Sequence, residues 1–176
     1  MLKKHSYDLI YYILGIIFSI IFWILSFRLL YFPKNYESLN IMFIGEINDY
    51  SYSDKVYSTL DIRKANLFSA NPNIGTFNDK YVSIGLNKCD VIILPHSILE
   101  QTDCAQSYQQ LTIDGYESYS QNGVEYAIKI PEEKLEYFSN YFALTEEDYY
   151  IAIPATSVNA GEITNNAIIF IEDELK

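Results

Sequence analysis

The hydrophobic pattern divides the chain into two unequal parts. Leu9 to Phe27 is an unbroken run of nineteen residues, LIYYILGIIFSIIFWILSF, without one charged side chain. At about 1.5 Å rise per residue, a helix of that length crosses roughly 28 Å, close to the hydrocarbon thickness of a bilayer. Thirteen of the nineteen are Leu, Ile or Phe. On an insertion scale they favour the membrane by roughly 4 to 8 kcal/mol. Nothing after Phe32 reaches that density, so the pattern predicts one transmembrane anchor over residues 9–32 with a water-soluble domain behind it.

Beyond a short polar linker over residues 33–38, the apolar runs are brief and punctuated. Leu39 to Ile44, bounded by Gly45, reads as a strand buried on both faces. A polar and aromatic loop over 46–52 follows, and Ser53 caps a helix with Val56 and Leu60 on one face, running to about Lys64. Asn71-Pro72-Asn73 and Gly75 make Ala65 to Phe77 a loop with room for a short strand. A short helix spans 79–86 with Asn78 as its cap. Asp90 to Leu94 is the clearest internal strand, stopped by Pro95, and Ser97 with Glu100 fits a capping box opening a short helix.

From Tyr116 to Ile130 the period changes to two. Val124, Tyr126, Ile128 and Ile130 face one way, and Glu125, Ala127 and Lys129 the other, after an Asn122-Gly123 hairpin turn. Pro131, Glu132 and Glu133 suit the first turn of a helix whose apolar stripe is Leu135, Phe138 and Phe142. Tyr149 to Ile153 is a strand closed by Pro154. Ala167 to Leu175 puts Ile168, Ile171 and Leu175 on one helical face, although AIIFI also suits a strand. This order predicts an N-terminal transmembrane helix followed by one α/β lobe with a mixed sheet.

The flanks of the apolar run bear on its fate. No small-residue cleavage site follows it, and no cysteine lies near its end, so it reads as an uncleaved anchor. Lys3 and Lys4 balance Arg28 and Lys34, and the α-amino group and His5 tip the orientation. The expectation is a single-pass plasma-membrane protein with residues 1–8 cytoplasmic and 39–176 outside. Tyr7, Tyr11 and Tyr12 at one end, and Tyr31 and Phe32 at the other, suit interfacial belts.

From Pro33 onward, nine basic residues face twenty-two acidic ones, a net charge of −13. Such a surface excludes nucleic acid and tight contact with anionic lipid. The seventeen tyrosines accompany an excess of Ile, Asn and Lys, so biased base composition, more than a sugar or peptide site, explains them. Cys89 and Cys104 are the only cysteines. Their spacing is not a zinc pattern, and in an extracellular domain a disulfide between them is open.

No catalytic set emerges. His5 and His96 are the only histidines, and neither a GxGxxG nor a GxxxxGK[ST] motif occurs. Glu132/Glu133, Glu146/Glu147/Asp148 and Glu172/Asp173/Glu174 read as solvated faces without the apolar setting that acid–base work needs. The chain is therefore read as a non-enzyme, with no catalytic residue, metal or cofactor.

Three segments, in order, resemble bacterial extracellular solute-binding proteins of the type 2 periplasmic-binding class. Cys89 to Pro95, followed by Ser97-Ile98-Leu99, is similar to their aspartate, apolar strand, proline segment. Asn122 to Ile128 resembles their Gly-x-x-Tyr-Gly-Ile/Val-Pro segment, with Ala127 where Gly is usual and Lys129 where Pro often follows. Tyr149 to Gly161 looks like the strand returning from the second lobe. Pro131 to Asp148 leaves no room for such a lobe, so the resemblance implies one lobe, half of the usual two.

Two functions follow as expectations. The first is a membrane-tethered module binding a small-molecule ligand beside an ABC transporter or another membrane protein. Its contacts would lie at strand ends: Glu46, Asn48 and Asp49 after the first strand, His96 and Ser97 after the second, and Ser157 and Asn159 near the return strand. The second is a non-binding adaptor that docks a partner protein at the outer membrane face, with a flat apolar patch at those strand ends.

Overall fold

A computed structural model describes residues 2–31, 37–60, 62–157, 159 and 165–176. The chain forms two compact units, Met1–Lys34 and Asn35–Lys176. The first is one helix, α1 (Leu2–Tyr31). Among the described residues, its window Tyr11–Arg28 alone is helical, long and apolar enough to cross a membrane, and none of it is buried. Of the expected linker over 33–38, residues 33–36 lie outside the described residues, as do Phe32 and Gly161 and the side chains of Lys3, Lys4, His5, Tyr7 and Tyr31.

The second unit opens with β1 (Ser38–Ile44), β2 (Glu46–Ile47), α2 (Tyr52–Thr59) and β3 (Lys64–Ala70). Next, α3 (Phe77–Lys80) continues as a π-helical stretch, Tyr81–Leu86, into β4 (Val91–Pro95), α4 (His96–Gln101) and α5 (Cys104–Ser107). The hairpin β5 (Ser118–Gln121) and β6 (Val124–Lys129) precedes α6 (Glu132–Ser139), β7 (Phe142–Ala143), β8 (Tyr149–Ala152) and α7 (Asn166–Leu175). Six strands make one mixed sheet, ordered β3-β1-β4-β8-β6-β5, while β2 and β7 pair separately. β1 runs parallel to both β3 and β4, and β4, β8, β6 and β5 alternate in direction. The mixed α/β architecture expected from the element order is present.

Chain direction explains the layers. From β1 the chain crosses to β3, then reverses to reach β4 on the other side of β1. Right-handed crossovers in opposite directions put their helices on opposite faces. Accordingly, α2, α6 and α7 cover a first face carrying Leu39, Ile41, Phe43, Val91, Ile93 and Ile151. The π-helical stretch, α4 and α5 cover the second face, with Met42, Ile44, Ile92, Leu94 and Ala152. Ile41 to Ile44 of β1 and every residue of β4 are thus buried, which is why both strands read as continuous apolar runs.

Several elements depart from the sequence expectation for local reasons. Where a loop with room for a short strand is expected from Ala65, the full strand β3 forms, in register with β1 from Ser38↔Lys64 to Ile44↔Ala70. KANLFSA contains no β-branched residue, so pairing and not propensity makes it a strand. α2 ends at Thr59 because Lys64 already belongs to β3. Ser53 does not cap α2: Asp49 accepts from the Ser51 amide at 2.8 Å and from the Ser51 hydroxyl at 2.7 Å, just ahead of the helix. Thr76, not Asn78, precedes α3, and Ser97 lies inside α4, whose N-cap is Pro95.

The hairpin turn is as expected, with φ of 56° at Asn122 and 79° at Gly123. Strict alternation in β6 fails, however. Tyr119 pairs with Ala127 but Ser120 pairs with Glu125, leaving Tyr126 as the extra residue of a bulge. Tyr126 and Ala127 therefore both join the second core, and Ile128 and Ile130 the first. The last segment is a helix: its buried positions Ala167, Phe170, Ile171, Glu174 and Leu175 follow the 3.6 period, with Ile168 only half-buried. The open disulfide is not formed, because Cys89 and Cys104 are separate buried thiols. Burial, with the nearby Asp90 and Asp103 charges, pushes them up to about 12 and about 11 respectively, so neither is a poised nucleophile.

Candidate functional site

β1 and β4 lie side by side, yet the chain leaves them in opposite directions across the sheet. This is the topological switch point of the parallel strands, where open α/β sheets hold ligands beyond the carboxyl ends. A cavity of about 340 Å³ opens there. Gly45 and Glu46 reach it from the turn after β1 and the start of β2, Asn71 and Asn73 from just beyond β3, and Pro95, Ser97 and Ile98 from β4 and α4. The remaining wall is Ala143 of β7, Thr145 and Glu147 from the segment joining β7 to β8, and Tyr149 of β8.

That wall is held by backbone pairing and stacked rings. Ile47 pairs with Phe142 and Glu46 with Ala143. The Asn48 and Asp49 amides both donate to the Tyr141 carbonyl, at 2.8 and 3.1 Å. Phe142 stacks on Phe43 at 4.4 Å between centroids, and Phe43 stacks on Tyr149 at 5.8 Å. Gly45 makes the turn between β1 and β2 with φ of +146°, and a Cβ there would come within 2.5 Å of the Phe43 ring. Only glycine meets both demands.

The polar lining is organised in two groups. On one side, Asn71 Nδ2 donates to Glu46 Oε1 at 2.8 Å, and Asn71 Oδ1 accepts from the Asn73 amide at 2.8 Å. On the other, Glu147 Oε2 accepts from the Ser97 amide at 2.9 Å and Oε1 from the Thr145 hydroxyl at 3.0 Å. The Tyr149 hydroxyl lies 3.0 Å from the Thr145 amide and 2.9 Å from its Oγ1. Partial desolvation raises the Glu147 pKa. Hydrogen bonds from Ser97 and Thr145, with the charge of His96, outweigh it and hold the carboxyl below its usual value. This arrangement can recognise a ligand by charge and hydrogen bonding. Among the described residues, no group of three or more His, Cys, Asp or Glu is placed to hold a metal.

A second cavity, about 310 Å³, lies at the opposite ends of the same strands. β8 runs antiparallel to β4, with Tyr149 opposite Pro95 and Ala152 opposite Ile92, so the chain after β8 returns to where β4 begins. There Asp90, 3 % exposed, accepts from the Asn40 amide at 2.8 Å and the Ser157 hydroxyl at 3.1 Å. Asn159, also buried, donates to the Ser38 carbonyl at 3.0 Å. Burial raises the Asp90 pKa, against the hydrogen bonds from Asn40, Asn159 and Ser157.

The residues expected to share one site are thus divided. Glu46 and Ser97 line the switch-point cavity, whereas Ser157 and Asn159 line the one at the far end of the sheet. Asn48 and Asp49 line neither; the amides of both donate to the Tyr141 carbonyl, and the Asp49 carboxylate holds Ser51 ahead of α2, its pKa lowered by the Ser51 hydrogen bonds. His96 lines neither either. Its ring packs between Tyr150 at 5.7 Å and Tyr119 at 5.8 Å, and its Nε2 lies 3.8 Å from Glu100.

Asn71, Asn73, Thr145 and Glu147 were not expected at a site. Recognising β3 as a parallel neighbour of β1 would have placed Asn71 and Asn73 at a strand's carboxyl end. Glu147 carries no local signal within its acidic run. Comparison with protein-family models, with curated proteins and with solved structures finds no match to this chain, so its role has to be read from the site itself.

Proposed function

We propose that the chain is a membrane-tethered recognition module. In this reading α1 anchors it in the plasma membrane with the N-terminus inside. The lobe outside binds a small polar solute at the switch-point cavity and presents it to an ABC transporter or another membrane protein. The observation that carries the reading is the polar-lined cavity at the carboxyl ends of β1, β3 and β4. Its volume falls near the lower end for ligand clefts, roughly 300 to 1,000 Å³. The likeness to half of a type 2 periplasmic binding protein is supported by β8, which lies antiparallel against β4 as a returning strand would. One lobe covers one side of a ligand, so its affinity alone is low and the partner supplies the second wall. An adaptor would want a flat apolar patch at these strand ends; the carboxylates and amides there favour a solute.

The test is a thermal-shift screen of the full chain in nanodiscs against amino acids, sugars, short peptides and metal ions. A melting temperature that rises with solute concentration is the expected result, by linkage. A flat response to every class, with a membrane protein co-purifying, would favour the adaptor. Protease added to intact cells should remove the lobe if it lies outside.

A further inference from the structure

We propose that the solute carries a positively charged ammonium group, received between Glu46 and Glu147; this rests on reading the switch-point cavity as the solute site. The first observation is what occupies the place where such sites usually hold an anion. At a strand end entering a helix, free backbone amides attract carboxylate or phosphate. Here the His96 amide donates to the Asp148 carbonyl at 2.9 Å, and the Ser97 amide donates to Glu147 Oε2 at 2.9 Å. The protein's own carboxylate fills the anion position. An incoming anion would have to displace Glu147 and would then face two negative charges.

The second observation is the lining itself. Among the described residues, Glu46 and Glu147 are its charged groups, and no Lys or Arg lines it. Glu46 is exposed to the cavity mouth with Oε1 bonded to Asn71, while no described residue bonds its other oxygen. Asn71 and Asn73 both line the cavity with it. A carboxylate oxygen and amide carbonyls are acceptors suited to the three donors of an ammonium, and a charged pair makes the strongest of these hydrogen bonds. The hydrogen bonds on Glu147 keep that carboxylate ionised at neutral pH, so the field on its side of the cavity is negative as well. A diamine can address both walls, whereas a diol gains no charge term and a diacid is repelled.

The test uses the full chain in nanodiscs of neutral lipid, so that amines do not concentrate on the bilayer. Three probe series with three- to five-carbon chains are compared by melting temperature: α,ω-diamines, the matching diols and the matching dicarboxylates. Diamines should raise the melting temperature with concentration, diols less and dicarboxylates not at all. Added salt should weaken the diamine effect. Glu46→Gln, at an exposed position, should weaken it about tenfold, and Ser97→Trp, which fills the cavity, should abolish it. If diols or dicarboxylates act through the cavity and diamines do not, the ammonium inference fails and the solute site stands. If no series acts, both fail. A diamine effect untouched by Glu46→Gln and Ser97→Trp arises elsewhere on the protein and also overturns the inference.

Discussion

The two ends of the β1–β4 pair are built from the same kinds of residue and hold their polar groups differently. At the amino ends, Asp90 is buried and accepts from Asn40 and Ser157, and Asn159 reaches Ser38, so the polar groups are committed to one another. That cluster ties the segment after β8 to the start of the sheet. At the carboxyl ends, Glu46 and Ser97 are exposed, Glu147 is half-buried, and the lining keeps acceptor capacity toward solvent. A polar cavity can receive a solute when some of its groups keep acceptor capacity facing outward, as Glu46 does here. It is a latch when they satisfy each other.

The largest expected effect is at the latch. Asp90→Ala removes the acceptor for the Asn40 amide and the Ser157 hydroxyl in a buried place, and should cost about 3 kcal/mol. For a lobe of this size the melting temperature should fall by roughly 10 °C. Solute binding to the folded protein should be unchanged.

Next comes Gly45→Ala. It combines a left-handed backbone with a contact against Phe43, which the stacked Phe142 and Tyr149 rings hold in place. The expected loss is about 2 kcal/mol. This variant should also disturb the cavity wall, so it should lower both stability and solute response, unlike Asp90→Ala.

Acid titration separates the two carboxylates by sign. The Asp90 pKa is raised on folding, so its stabilising contribution is fully present below its ordinary value of 3.8 and disappears as pH rises through the folded value. The Glu147 pKa is lowered, so its contribution is present above its ordinary value of 4.5 and disappears as pH falls through the folded value. In melts from about pH 3 to 7, Asp90→Asn should gain on the native chain as pH rises above that lower limit. Glu147→Gln should gain on it as pH falls. Equal slopes in both variants would remove the distinction between the two ends.

The smallest effect is Glu46→Gln, which should change stability by no more than about 0.5 kcal/mol, because its side chain is exposed. A large loss of stability would mean that Glu46 is a structural residue.

The sequence made the buried parallel strands legible because β1 and β4 are apolar on both faces, and the Asn122-Gly123 turn because its backbone needs positive φ. β3 was hidden, since KANLFSA has neither the alternation nor the branched residues that mark a strand in isolation. That loss carried the site with it: Asn71 and Asn73 gain meaning only once β3 runs beside β1. Ser157 and Asn159 were misplaced because nothing local tells which way a strand runs. The antiparallel direction of β8 sends them to the far end of the sheet.

The most direct test is amide hydrogen exchange of the full chain in neutral-lipid nanodiscs, with and without saturating 1,4-diaminobutane. Added protection should concentrate at 45–47, 71–73, 96–98 and 143–147, with 156–159 unchanged. Protection centred on 156–159, or none anywhere, would contradict a solute site at the carboxyl ends of β1 and β4.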